Sequence, residues 1–146
     1  MYLAQPIAWT DRGVIMLDQR RLPADEISYT YTDYRDVAKA IREMVIRGAP
    51  AIGVAAAMGA ALGVLHSSAK SSDALRPEFQ EICGVLAKTR PTAVDLFWAL
   101  ERMKRRFAEL ASQTSDLAEI KQAMVEEAQK IHLEKKATDE IGRAHV

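Results

Sequence analysis

The sequence predicts an α+β fold: a small N-terminal antiparallel sheet of about three strands, followed by a bundle of about five helices. Apolar residues alternate with period two before residue 32 and recur at helical spacing from residue 33 onward. Turn and cap residues mark the joints between these runs. The 146 residues, 49% apolar and 27% charged, suffice for one domain with a real core. The expected organisation is a strand segment over residues 1–32 and a helical part over 33–146, both within a single domain.

"PIAWTDRGVIMLDQRRLP" holds two extended runs around the turn signal Asp11-Arg12-Gly13. "EISYTYTD" places Ile27, Tyr29 and Tyr31 on one face, and Ser28, Thr30 and Thr32 on the other. Asp33 is a suitable N-cap for a first helix whose inner stripe is Tyr34, Val37, Ile41 and Met44. Gly48 and Pro50 end that helix and start a second, which runs to about His66. Gly53, Gly59 and Gly63 lie inside it at a propensity cost of about 1 kcal/mol each, which predicts close approach of another backbone. A third helix is expected over about 74–88, with Leu75, Phe79, Ile82 and Leu86 inward and Pro77 in its first turn. Thr92 followed by Asp95 resembles a capping box for a fourth, with Leu96, Leu100, Met103, Phe107 and Leu110 buried. A fifth begins near Ser115 and turns Leu117, Ile120, Met124 and Ile131 inward.

Twenty basic and twenty acidic residues cancel, which argues against a protein dominated by nucleic-acid or membrane binding. The apolar run Ala49–Leu65 is short for a membrane span and rich in Ala and Gly, so it reads as a buried helix. The N-terminus lacks a secretory pattern, and a cytoplasmic location is expected. The single cysteine, Cys83, excludes an intramolecular disulfide and reads as a small core residue. His66, His132 and His145 show no metal-ligand spacing, and His66 suits a helix C-terminus. "ERMKRR" at 101–106 reads as a solvated helix face, and Trp9 and Trp98 as packing residues.

Two short motifs carry possible chemistry. In "RGAP", Gly48 permits unusual backbone angles and Pro50 fits a first helical turn. The amides of Ala51, Ile52 and Gly53, the helix dipole and the Arg47 guanidinium could then hold an anion such as phosphate. In "TRPTA", Arg90 again precedes a proline and a helix start. Alone, "RGAP" is compatible with a plain helix–turn–helix bearing a solvated arginine, and Arg90 alone reads as decorating a surface turn. If the two helices are neighbours, both arginines and both helix ends can share one rim. No acid–base pair suited to moving protons on a sugar can be assembled from the remaining residues.

Taken together, "LDQRRLP", "AIREMVIRGAPAIGVAAAMGAALG" and "TRPTAVDLFWALERM" resemble the methylthioribose-1-phosphate isomerase family. The wider group includes ribose-1,5-bisphosphate isomerases and regulatory subunits of a translation initiation guanine-nucleotide exchange factor. The resemblance runs to about Ile131 and weakens over "LEKKATDEIGRAHV". Met58 replaces a frequent tyrosine, and Asp95 a frequent asparagine. The resemblance implies an N-terminal domain of a two-domain aldose–ketose isomerase, without its Rossmann-like C-terminal domain. It implies substrate binding by Arg47, Gly48, Ala49 and Arg90, with catalytic cysteine and aspartate in the absent domain and no counterpart in Cys83. It further implies conversion of 5-methylthioribose 1-phosphate to 5-methylthioribulose 1-phosphate, no metal or nucleotide cofactor, and a dimer at full length. The chain alone is expected to be inactive and to self-associate through surface meant for the missing domain.

Overall fold

The computed structural model describes residues 6–144, with side chains for residues 6–137. Strands β1 (Ile7–Thr10), β2 (Gly13–Leu17) and β3 (Ser28–Tyr31) form an antiparallel sheet in that order. Helices α1 (Tyr34–Arg42), α2 (Ala49–Leu65), α3 (Ser72–Ala87), α4 (Val94–Gln113) and α5 (Leu117–Ala144) follow. Ile7 pairs with Met16, and Met16 with Tyr29, so the register turns Ile7, Val14 and Met16 onto the core. Tyr29 and Tyr31 face inward while Ser28 and Thr30 are exposed, as the alternation predicts.

Helix α2 is the axis of the domain. Every residue from Ile52 to Val64 is buried, and the helix touches the four other helices and strands β1 and β2. Its Ala and Gly side chains are small enough to admit neighbours on all sides. Gly53 does meet a second backbone: a Cβ there would lie 2.9 Å from the Asp95 carbonyl oxygen. Gly59 and Gly63 instead receive side chains, Val37 and Leu86 at the first and Ile82 at the second.

Several boundaries depart from sequence expectation. α1 stops at Arg42, and Met44 adopts φ 65° with its side chain 43% exposed; Val45 and Ile46 bury in its place. Asp33 does cap α1, accepting from the Arg35 amide. α3 begins at Ser72 because the Ser71 hydroxyl accepts from the Ala74 amide, so Pro77 lies inside the helix rather than in its first turn. The expected capping box is absent: the N-cap of α4 is Ala93, with no side-chain bond. α5 starts at Leu117, where Asp116 accepts from the Ala118 amide. The predicted inner stripe of α4 is buried throughout; on α5, Ile120, Met124 and Ile131 are buried and Leu117 is half-buried. The Phe79 and Phe107 rings stack with centroids 4.6 Å apart, joining α3 to α4.

The glycines supply an internal contrast. Gly53→Ala is expected to destabilise the domain by about 1–3 kcal/mol, because two backbones must part. Gly84 in α3 has open space where a Cβ would lie, so Gly84→Ala is expected to stabilise by about 0.5–1 kcal/mol. Urea unfolding of both variants checks the opposite signs.

Candidate functional site

The stretch from Val45 to Ala51 is fixed from below by the "LDQRRLP" segment. Asp18 closes a single 3₁₀ turn over Gln19–Arg21, and its carboxylate is fully buried. One oxygen accepts from the Arg20 amide and Nε at 3.0 and 2.9 Å. The other accepts from Arg20 Nη2 at 2.8 Å and the Tyr29 hydroxyl at 3.0 Å. The Arg20 side chain, then the Tyr29 hydroxyl, hold the Asp18 carboxyl well below the usual range and outweigh its desolvation.

Gln19, held on that turn, reaches across to the candidate site. Its amide donates to the Val45 carbonyl at 2.9 Å, and its side-chain Oε1 accepts from the Arg47 amide. Its own carbonyl accepts from Arg47 Nη2 at 2.7 Å. Gln19 therefore grips both the backbone and the guanidinium of Arg47. Residues 47–50 are exposed. Gly48 has φ 90°, an angle that L side chains rarely adopt, and nothing lies within 4 Å of where its Cβ would be. The requirement for glycine here is conformational, and the surface before it is open.

Ala49 and Pro50 begin α2. Ile52 already donates to the Gly48 carbonyl at 3.0 Å, which corrects the expectation that its amide is free. The unpartnered end of an α-helix starting here falls on Ala49 and Ala51, since Pro50 has no N–H.

Arg90 sits at the second junction, with Ala93 N donating to its carbonyl at 3.0 Å to form the turn. Arg90 is half-buried, and its Nη1 is buried without a hydrogen-bond partner. An orphaned guanidinium nitrogen leaves a donor unsatisfied, which favours an anionic acceptor beside it. The Gly53–Asp95 approach places the first turns of α2 and α4 side by side. Arg47 and Arg90 thus precede two helix starts that touch.

Other candidates resolve into structural roles. Cys83 is buried in the α3 face, and burial pushes its thiol up to about 12. His66 is the C-cap residue of α2, and His145 lies outside the described residues. Among the described residues, no cluster of three or more His, Cys, Asp or Glu is placed to hold a metal ion, and no helix is long and apolar enough to cross a membrane. "ERMKRR" is less solvated than expected: Arg102 makes ion pairs of 2.7 Å to Glu127 and 2.6 Å to Glu134 on α5. Trp98 is 39% exposed, beneath the Arg102 and Lys135 cations. Two cavities of about 410 and 400 Å³ open elsewhere, one at the His66 end of α2 and one beside Tyr29; neither is lined by Arg47 or Arg90. Gln19 lies within "LDQRRLP" but carries no local signature of its role, because its pairing with Arg47 spans 28 residues.

The fold and the paired arginine–helix junctions define a strand-then-helix domain with an open, donor-rich edge. The chain belongs to the initiation factor 2 subunit family, whose pattern matches residues 45–145. It is 50% identical over 138 residues to a methylthioribose-1-phosphate isomerase of Koribacter versatilis (strain Ellin345), covering 94% of this chain and 38% of that protein. It is 51% identical to that of Geobacter sp. (strain M21), again over 94% of this chain and 39% of the relative. Among solved structures, 5-methylthioribose 1-phosphate isomerase from Pyrococcus horikoshii OT3 superposes with a TM-score of 0.83 at 40% identity, over 88% of this chain and 36% of that one. The translation initiation factor eIF-2B subunit delta from A. fulgidus gives 0.78 at 32%, over 87% and 36%. The chain thus spans somewhat over a third of the length of the relatives it matches.

Two outcomes test the platform. Stabilisation by Asp18 is complete above the unfolded carboxylate pKa of about 3.9 and is lost as pH falls below it, because the folded value is depressed. Asp18→Asn is expected to cost about 1.5–3 kcal/mol at pH 7 and to flatten the acid limb of the stability curve. An unchanged acid limb in the variant contradicts this account. Gln19→Ala is expected to speed hydrogen exchange of the Arg47 amide at least tenfold while leaving the Ile41 amide unchanged, as read by NMR.

Proposed function

We propose that this chain is the N-terminal, phosphate-binding domain of a longer aldose–ketose isomerase that converts 5-methylthioribose 1-phosphate to 5-methylthioribulose 1-phosphate. Residues 1–32 and 33–146 form one domain in this reading, followed by a Rossmann-like domain that supplies the catalytic cysteine and aspartate. Arg47, Gly48, Ala49 and Arg90 hold the substrate, and no metal or nucleotide takes part. The working enzyme is a cytoplasmic dimer that acts on a small sugar phosphate and binds neither nucleic acid nor membrane.

The observation that carries the reading is the meeting of two helix starts beside Arg90, whose buried Nη1 has no partner. Helix N-termini and guanidinium groups suit a phosphate dianion. The substrate carries its phosphate at the anomeric carbon, which keeps the sugar ring closed. Fixing that phosphate orients the sugar while the second domain moves the proton or hydride. The open edge at residues 47–50 suits a site completed by another domain. Identity of 50–51% to methylthioribose-1-phosphate isomerases supports this substrate over ribose 1,5-bisphosphate. The structural likeness to an initiation-factor subunit supports the second reading, a non-catalytic assembly domain.

The deciding measurement is turnover of 5-methylthioribose 1-phosphate by the full-length gene product, with the 146-residue chain as a control. Turnover is expected only in the longer protein. There, Arg47→Ala and Arg90→Ala should each lower kcat/KM about 10–100-fold, matching the loss of one charged hydrogen bond. Wild-type kinetics in both variants sinks the assignment of these residues. No turnover of either sugar phosphate moves the conclusion to the assembly domain.

A further inference from the structure

Lys135 lies on α5, 45 residues beyond Arg90, yet it reaches the joint where the two helix starts meet. Asp95 belongs to the first turn of α4, and its main chain forms the close contact with Gly53 of α2. A carboxylate at this position works against an anion site. It adds negative charge beside the phosphate, and it can occupy first-turn amides itself, as acidic residues at helix starts do. In this structure the carboxylate turns toward α5 instead: Asp95 Oδ2 lies 3.5 Å from Lys135 Nζ. The two side chains are only 28% and 23% exposed, so solvent screens the pair incompletely. Lys135 Nζ also sits 4.4 Å from the centre of the Trp98 ring, one helical turn along α4, which restrains the otherwise flexible lysine.

We propose that Lys135 is a positioning residue for the anion site: it draws the Asp95 carboxylate onto α5 and cancels its charge, leaving Arg90 and the first turn of α4 free for phosphate. The proposal rests on the reading of Arg47 and Arg90 as phosphate-binding and adds α5 as a third contributor. A lysine that merely ties α5 to α4 influences stability. A lysine that cancels Asp95 influences affinity, and its effect vanishes when Asp95 loses its charge.

The test titrates inorganic phosphate into the 146-residue chain at low ionic strength, following the amide resonances of Gly48, Gly53 and Arg90. Lys135→Met is expected to weaken the apparent Kd threefold or more. Lys135→Arg, which keeps the charge, should bind like the wild type. Asp95→Asn should bind at least as tightly as the wild type. In the double variant Asp95→Asn/Lys135→Met, affinity should return to within twofold of the wild type, whatever the change in urea midpoint. Unchanged affinity in Lys135→Met overturns the proposal. So does a double variant as weak as Lys135→Met, since that pattern marks a structural tie. Should Lys135→Met unfold, weakened binding by Asp95→Asn overturns it. Absence of any saturable shift in the wild type, in this chain and in the full-length gene product alike, removes the anion site and the proposal together, which separates that failure from the others.

Discussion

Complete burial of one helix constrains everything else in this domain. From Ile52 to Val64, α2 presents no side chain to water. An α-helix buried on every side needs neighbours all round, and those neighbours must come close because the side chains are mostly Ala and Gly. The remaining helices and the first two strands form that sheath. The α2–α4 contact at Gly53 follows from the same constraint, and it sets two helix starts together at the surface. The candidate site is thus a by-product of core packing as much as of its own residues.

A second constraint holds the edge of the site. Buried carboxylates are costly unless their oxygens are satisfied, and Asp18 meets that demand with Arg20 and Tyr29. The turn so fixed carries Gln19, and Gln19 carries Arg47. A rigid side-chain chain therefore runs from the inner face of the sheet to an exposed guanidinium. Arg90 is restrained differently, by partial burial at a turn that closes on its own carbonyl.

Much of this was legible in the amino-acid sequence because period is a local property. The alternation at Ser28–Tyr31 and the stripe from Leu96 to Leu110 both lie on the faces their spacing implies. Gly48 was legible because only a few residues tolerate its backbone angle. Helix boundaries were less so. Ser71 caps α3 so that it starts two residues ahead of its expected position, and Met44 left its periodic stripe once the chain reversed at φ 65°. The capping box expected of Thr92 and Asp95 failed because α4 is capped one residue later, at Ala93, and the Asp95 carboxylate pairs instead with a lysine 40 residues downstream. Gln19 and Lys135 stayed hidden because their partners are distant in sequence, and no alternation or spacing encodes such pairs.

The burial of α2 has an electrical side. A helix of aligned peptide dipoles carries partial charge of opposite sign at its two ends. Water along its flank would normally damp that field, but here the flank is hydrocarbon from Ile52 to Val64. Only the tips meet solvent: residues 48–50 at the positive end, and His66, beside a cavity of about 410 Å³, at the negative end. The two exposed ends of α2 therefore present partial charge of opposite sign to solvent, positive beside Gly48 and negative beside His66, with an apolar flank between them.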